Sequence, residues 1–418
     1  MMPRLLSGPN LGDGAEGLAD HRARLGEIPG RTARAGLIDT LGAAGLLGRG
    51  GAGFPVARKW DSVAGRSKGQ AIVLANGAEG EPMSMKDRVL MATRPHLVLD
   101  GVELAAEAVG AKKAILYIGS EHAVARVAME AALRERDGDR HRGADTLPRI
   151  DTRIVTPPVS YVAGEESAAV QFVNRGDPRP LNVPPRPYEK GVDGRPTLVQ
   201  NVESLAHAAL IARYGDAWYR EAGRGETRGT ALVTITGVAT PGVMEVDLGT
   251  TIGELAAWTG ASDSVGSPVL LGGYFGSFVA GAEAWQMPLD PVALRARGAA
   301  FGCGVVSLVG DSTCGVTMTA RMMDYMAGSS AAQCGPCVYG LRAIADATTR
   351  LATFDGRPDD IRRIRGWADS LAGRGACRLP DGTVGLLRSA LTVFEADWSS
   401  HQFQRRCGLG AVAKVSRA

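Results

Sequence analysis

The sequence predicts an α/β unit on a parallel sheet, then a compact α+β section, then a helical bundle. Three observations carry this. Apolar runs at 71–76 (AIVLAN) and 113–119 (KAILYIG) flank HLVLDGVELAAEAVG, whose apolar residues recur at helical spacing, which is a β-α-β pattern. Residues 230–260 (TALVTITGVATPGVMEVDLGTTIGELAAWTG) read as strand, Pro-Gly turn, strand and a short helix opened by Thr. From about 313 the apolar residues return to helical spacing in GVTMTARMMDYMAG, YGLRAIADATTRLAT and IRRIRGWADSLAG.

These patterns divide the chain into a polar N-terminal arm (1–35), an α/β section (36–228), the α+β section (229–312) and the helical section (313–418). A length of 418 residues calls for more than one core. A net charge of +3 gives no basic excess for nucleic acid. No stretch approaches the roughly 18 uninterrupted apolar residues of a membrane span, and the first residues lack a secretory apolar run. Six cysteines are too few for a disulfide scaffold, so the sequence is read as that of a protein in a reducing cytoplasm.

Two stretches carry chemistry. In GLLGRGGAGFPVARKW (45–60), Gly48, Gly50, Gly51 and Gly53 free the backbone to approach a ligand and aim N–H groups at phosphate. Arg49 and Lys59 are read as cations for that phosphate, and Phe54 as a flat face. NGAEGEPMSMKDR (76–88) and YVAGEESA (161–168) add the carboxylates Glu79, Glu81, Glu165 and Glu166 on loops, although such acids are often plain solvated surface. The second stretch is QCGPCVYG (333–340). Cys334 and Cys337 flank Gly-Pro as in a thioredoxin, but they follow a helical pattern deep in the chain, and Cys377 comes 40 residues later. Two close thiols and a distant one suit a metal or iron–sulfur site better than dithiol exchange, while unligated structural cysteines remain a third reading.

Taken together, GRGGAGFP…KW, N-x-x-E-G-E-P…KDR, Y-x-x-GEE and GRPT…NVE resemble the flavin-bearing, NADH-oxidising 51 kDa-type subunit of respiratory complex I and of related soluble dehydrogenases. The resemblance covers roughly residues 36–400. It implies a Rossmann-like FMN domain, a ubiquitin-like β-grasp domain of the SLBB type, and a C-terminal helical domain carrying a [4Fe-4S] cluster. It also implies that NADH gives a hydride to FMN, which passes single electrons to the cluster. Carried over residue by residue, Gly48, Arg49, Gly50, Gly51, Ala52, Gly53, Lys59, Asn76, Glu79, Tyr161, Gly164, Glu165 and Asn201 line FMN. Phe54, Glu81 and Glu166 face the nicotinamide nucleotide. Cys334, Cys337 and Cys377 hold iron.

The departures from the family pattern all lie in the chemistry. The first of the four cluster cysteines falls on Ala331. The expectation is therefore a [4Fe-4S] cluster with a non-cysteine fourth ligand such as Ser330, or a [3Fe-4S] cluster. Cys303, Cys314 and Cys407 are left as spare thiols, expected in apolar packing. In the nucleotide pocket, Ser62 stands for an aromatic residue, Val183 for a lysine, Arg186 for a phenylalanine and Ala78 for an acid. Arg186 is expected to stack on adenine or pair a 2′-phosphate, which leaves NADH and NADPH both open. The expected partner is a ferredoxin, another soluble acceptor or a redox subunit. A relay that does not oxidise nicotinamide, and a thiol–disulfide protein, are the competing readings.

Overall fold

The computed structural model describes residues 4–30, 34–140, 150–181, 183–261 and 265–409. They fall into two compact units, Met1–Thr234 with Val243–Thr250, and Ile235–Gly242 with Thr251–Ala418. In the first unit, α1 (Leu18–Leu25), α2 (Leu37–Ala44) and α3 (Val56–Ser67) precede β1 (Ala71–Gly77). Next come α4 (Lys86–Thr93), α5 (Pro95–Val109), β2 (Ala111–Ile118), α6 (Ala123–Arg140) and β3 (Asp151–Val155). Then follow α7 (Glu166–Arg175), β4 (Thr197–Asn201) and α8 (Val202–Glu221). Two further strands, β5 (Thr230–Thr236) and β6 (Gly242–Asp247), lie side by side.

Strands β1 to β4 form a parallel sheet in the order β3-β2-β1-β4. Alternate side chains enter separate cores, as the period of two requires. Val73, Ala75, Leu116 and Leu198 pack with α3, α5 and α8, while Ile72, Leu74, Ile115, Tyr117 and Val199 pack with Ala169 and Val170 of α7. Helices therefore cover both faces, as a parallel sheet demands. The chain winds from β1 outward to β2 and β3, then returns to place β4 on the other side of β1. This reversal opens a crevice beyond the carboxyl ends of β1 and β4, where the register sets Asn76 opposite Asn201.

The stretch read as a polar surface arm is anchored into this unit, and Leu5 is fully buried. The Glu245 carboxylate accepts from the backbone N–H groups of Arg4, Leu5 and Leu6 at 2.7, 2.8 and 3.0 Å. The buried Arg94 donates to the carbonyls of Leu6, Ser7 and Pro9. Helix α5 is buried along almost its whole length, and its Asp100 is matched by Arg136, Arg213 and His21.

In the second unit, Thr251 and Glu254 form a capping box that starts α9 (Ile252–Trp258) as the sequence anticipates. Strand β7 (Val269–Leu271) runs antiparallel to β8 (Ser277–Val279), and short α10 (Ala282–Trp285) and α11 (Pro291–Ala296) lead to β9 (Val305–Leu308), which also runs antiparallel to β7. Helices α12 (Gly315–Gly328), α13 (Arg342–Ala352), α14 (Asp360–Leu371) and α15 (Leu379–Val393) follow, with α16 (Glu395–Ser399) last. Each of α12 to α15 packs on the next, and α15 returns to α12. Among the described residues, no helix is long and apolar enough to cross a membrane.

Gly101 lets α5 and α8 meet backbone to backbone, because an added Cβ would stand 2.1 Å from the Leu205 carbonyl oxygen. Gly101→Ala is expected to force these helices apart at a cost of about 3 kcal/mol. A midpoint in chemical denaturation equal to that of the unaltered chain would show that the helices do not depend on this contact.

Candidate functional site

The glycine-rich loop sits at the crevice between β1 and β4. The Cβ position of Gly50 is 3.4 Å from Asn201 Cβ, and Gly51 and Gly53 have φ of +104° and +63°. Those conformations suit glycine and keep the loop free of side chains where it faces the strand ends. Phe54, directly after the loop, is 51% exposed and offers an open ring face. Gly48 is held by an N–H bond to the Phe54 carbonyl at 2.9 Å, so the loop closes on itself.

Three other segments converge there. Asn76, at the end of β1, donates to the Gly164 carbonyl at 2.9 Å and accepts from Ala78 N at 3.2 Å. Gly80 permits the same approach, since a Cβ there would fall 2.5 Å from the Tyr161 carbonyl oxygen. Glu165 caps α7, accepting from Ser167 N and Ala168 N at 3.0 Å each. Glu166 turns the other way and pairs with Lys59 at 2.9 Å, where Lys59 also donates to the Val199 carbonyl. Glu81 is buried and accepts from Met83 N at 3.2 Å. Arg186 and Val183 are exposed on the loop that follows α7.

Two sequence expectations are corrected. Arg49 does not offer its charge to a phosphate: its guanidinium is buried, bonded to Tyr219 Oη at 3.1 Å and the Thr230 carbonyl at 2.9 Å, and lies 3.7 Å from Glu203. Only its backbone stays in the loop. Glu79 is likewise turned inward, accepting from Ser84 Oγ, Asp87 N and Arg88 N at 2.7, 3.0 and 3.1 Å, so it shapes the 79–88 turn.

Beneath the crevice lies a buried ionic group whose geometry the sequence did not disclose. Lys86 Nζ contacts Asp87 Oδ1 at 2.6 Å and Glu203 Oε2 at 2.9 Å. Asp87 accepts from Asn201 Nδ2 at 2.6 Å, and Glu203 accepts from Leu232 N at 2.9 Å. Burial alone would raise the Glu203 carboxyl, but Lys86, His207 and Arg49 more than offset it and hold it at about 2.

In the second unit, Cys334 and Cys337 open a π-helical turn, Pro336–Leu341, with Cys337 N donating to the Cys334 carbonyl at 3.2 Å. Cys377 precedes α15, beside Gly375, where a Cβ would fall 2.6 Å from the Cys377 carbonyl oxygen. Burial pushes the Cys337 thiol up to about 12; a Ser330 hydrogen bond works against this, and neighbouring Cys334 and Cys377 add to it. The Ser330 hydroxyl and the thiols of Cys334 and Cys377 are thus all near enough to act on the Cys337 thiol. A raised thiol is opposite to what dithiol exchange requires and is what a bound cation would reverse. The spare Cys314 is not in plain apolar packing, contrary to expectation: its Sγ lies 3.4 Å from His401 Nε2.

Residues 41–209 match the family model described as the Nuo51 FMN-binding domain, and residues 317–401 match the NADH-ubiquinone oxidoreductase-F iron–sulfur binding region. The second NADH-quinone oxidoreductase F subunit of Rhizobium meliloti (strain 1021) is 30% identical over 383 residues, covering 89% of this chain and 90% of its own. The chain belongs to the family of NADH-quinone oxidoreductase F subunits. The corresponding protein of Streptomyces coelicolor is 28% identical over 390 residues, covering 89% of this chain and 84% of its own. Among solved structures, NAD+-reducing [NiFe]-hydrogenase in the air-oxidized state is similar at a TM-score of 0.81 and 30% identity over 89% of this chain. This chain spans 64% of that hydrogenase chain. The flavin-binding region of the family thus takes in the glycine loop, Asn76, Glu166 and Asn201, and its iron–sulfur region takes in the three cysteines.

Removal of the buried ammonium tests the support of the crevice. Lys86→Met should cost about 3–5 kcal/mol, because it leaves Asp87 and Glu203 as buried charges short of a partner. Glu203 contributes stability above its ordinary value of 4.5 that is lost as pH falls toward about 2. Glu203→Gln should flatten that acid limb. Denaturation midpoints measured across this range check both, and an unchanged acid limb would remove Glu203 from the account.

Proposed function

We propose that this chain takes electrons from NAD(P)H at the β1–β4 crevice and delivers them through an iron–sulfur cluster to a ferredoxin-like acceptor or a partner redox protein. The observation that carries this reading is the glycine-rich loop whose Gly50 lies against Asn201 at the reversal point of the sheet. When bound, FMN and the cluster supply the exchange between two-electron hydride and single electrons. The residues of the crevice fit FMN: Gly50, Gly51 and Gly53 leave room for it, Ala52 offers a backbone N–H group while that of Arg49 is taken by Ser204 Oγ at 2.9 Å, and Asn76, Gly164 and Asn201 fix the floor. Lys59 holds Glu166 in place by their ion pair, and the exposed Phe54 ring is the stacking face for a nucleotide. Glu81 and Tyr161 belong to the two segments whose backbones meet at Gly80, beside that floor. Arg186, on an exposed loop, supplies a guanidinium that suits adenine or a 2′-phosphate.

Within this reading, residues 36–228 are the flavin domain, 229–312 a β-grasp domain of the SLBB type and 313–418 the iron–sulfur domain. Cys334, Cys337 and Cys377 are the thiolate ligands. The Ser330 hydroxyl, already bonded to Cys337, stands for the absent cysteine at Ala331. A cysteine content of six in 418 residues suits a reducing compartment such as the cytoplasm.

Anaerobic titration of the purified protein with NADH and NADPH decides the donor. Bleaching of the flavin by one of them supports the reading; no bleaching by either favours a relay fed by another donor. Arg186→Ala should raise the KM for the preferred nucleotide several-fold without changing FMN content, and an unaltered KM removes Arg186 from the site. Gly51→Val, a β-branched residue at φ +104°, should give folded protein that lacks flavin. Full flavin occupancy in that variant would defeat the crevice assignment. Ala331→Cys should supply a fourth thiolate and suppress conversion to a [3Fe-4S] form in air, read by paramagnetic resonance.

A further inference from the structure

Outside the three cysteines assigned to the cluster, a second set of soft ligands converges in the same unit. Cys314 Sγ, His401 Nε2 and Cys407 Sγ all lie within 4.8 Å of one another. They come from three separate places: the N-cap of α12, the π-helical turn Ser400–Gln404 after α16, and the segment beyond that turn. Cys314 and His401 are buried, and Cys407 is half-buried.

We propose that Cys314, His401 and Cys407 are three protein ligands of one divalent cation, Zn2+, with water or an external thiolate in its fourth position. Zinc at about 2.3 Å from sulfur and 2.0–2.1 Å from nitrogen sets tetrahedral ligand edges of about 3.6 Å for S···N and about 3.8 Å for S···S. The 3.4 Å between Cys314 Sγ and His401 Nε2 already matches such an edge. The imidazole is also oriented as a ligand. Its Nδ1–H donates to the Leu351 carbonyl at 3.0 Å, which leaves the Nε2 lone pair directed at the sulfur. The Phe354 ring, 4.8 Å away and tilted by 30°, holds the imidazole plane.

Cys314 is prepared in a second way. As the N-cap of α12, its sulfur accepts from Thr317 N at 3.5 Å and sits at the positive end of the helix. Two sulfurs and one imidazole select zinc over magnesium or calcium, which take oxygen ligands. A disulfide between Cys314 and Cys407 would use the same proximity but would leave the ordered imidazole without a purpose. Metal binding would tie the start of α12 to the end of the helical section across 87 residues of chain, the separation of Cys314 from His401.

The test uses the full chain, expressed with added zinc, purified without oxygen and freed of loosely held metal. Roughly one zinc per chain is expected beside the cluster iron, and its X-ray absorption spectrum should show two sulfurs at about 2.3 Å and one nitrogen at about 2.0–2.1 Å. Cys407→Ser and His401→Gln should each lower zinc retention roughly tenfold or more, with FMN and iron contents unchanged as evidence of folding. Cys407→Ser alters a half-buried position and keeps the test open if the histidine variant fails to fold. A chain carrying Cys334→Ser and Cys337→Ser should lose iron and keep its zinc. Less than about a tenth of an equivalent of zinc in the unaltered chain would overturn the proposal. So would zinc lost only with Cys334 and Cys337, or a Cys314–Cys407 disulfide in the anaerobic protein.

Discussion

The first unit depends on a buried ammonium. Lys86 holds two carboxylates, Asp87 and Glu203, in a volume closed to water, and each carboxylate in turn fixes a different part of the crevice. Asp87 takes the Asn201 amide and so sets the end of β4; Glu203 takes the amide of Leu232 in β5 and lies near the Arg49 guanidinium behind the glycine loop. The cations offset the burial of Glu203, held at about 2, but not that of Asp87, whose carboxyl burial raises to about 7 against Lys86, with Glu79 and Glu203 adding to the rise. A loop of glycines and one alanine has a single long side chain, that of Arg49, to hold its position, and that side chain is anchored in this buried group. Here rigidity is supplied from below, by buried side chains.

This explains the chemistry of the KDR and NVE motifs. On a linear reading they are polar residues beside a loop, and the family resemblance places Asn201 at the flavin. The geometry adds that Asn201 acts in two directions, capping α8 through its Oδ1 and gripping Asp87 through its amide nitrogen. Site geometry and helix initiation are therefore the same event at this residue.

Much of the fold was legible because it rests on local periodicity. Strands at 71–77 and 111–118, the helix between them, the Thr-capped α9 and the helices after 313 follow from apolar spacing and caps. What was not legible is the direction of long side chains. Arg49 in a glycine loop invites a phosphate, yet its guanidinium turns into the core, because Tyr219, Thr230 and Glu203 come from distant segments. Glu79 misleads in the same way, being consumed by amides eight and nine residues onward. The spare thiols are the clearest case, since nothing local in the sequence links Cys314 to His401.

The anchoring of the first residues bears on how the protein can be divided. Similarity to the flavin-binding family begins at residue 41, which invites a shortened version starting there. Such a version would strand the Glu245 carboxylate, which serves the amides of residues 4, 5 and 6, and the Arg94 guanidinium, which serves the carbonyls of residues 6, 7 and 9. Each would lose most of its partners at once, keeping the Thr230 hydroxyl and the Thr93 carbonyl respectively, and a surface built to be covered would face water. The limits of shared ancestry and the limits of autonomous folding are different positions in this chain, and expression boundaries belong at the second.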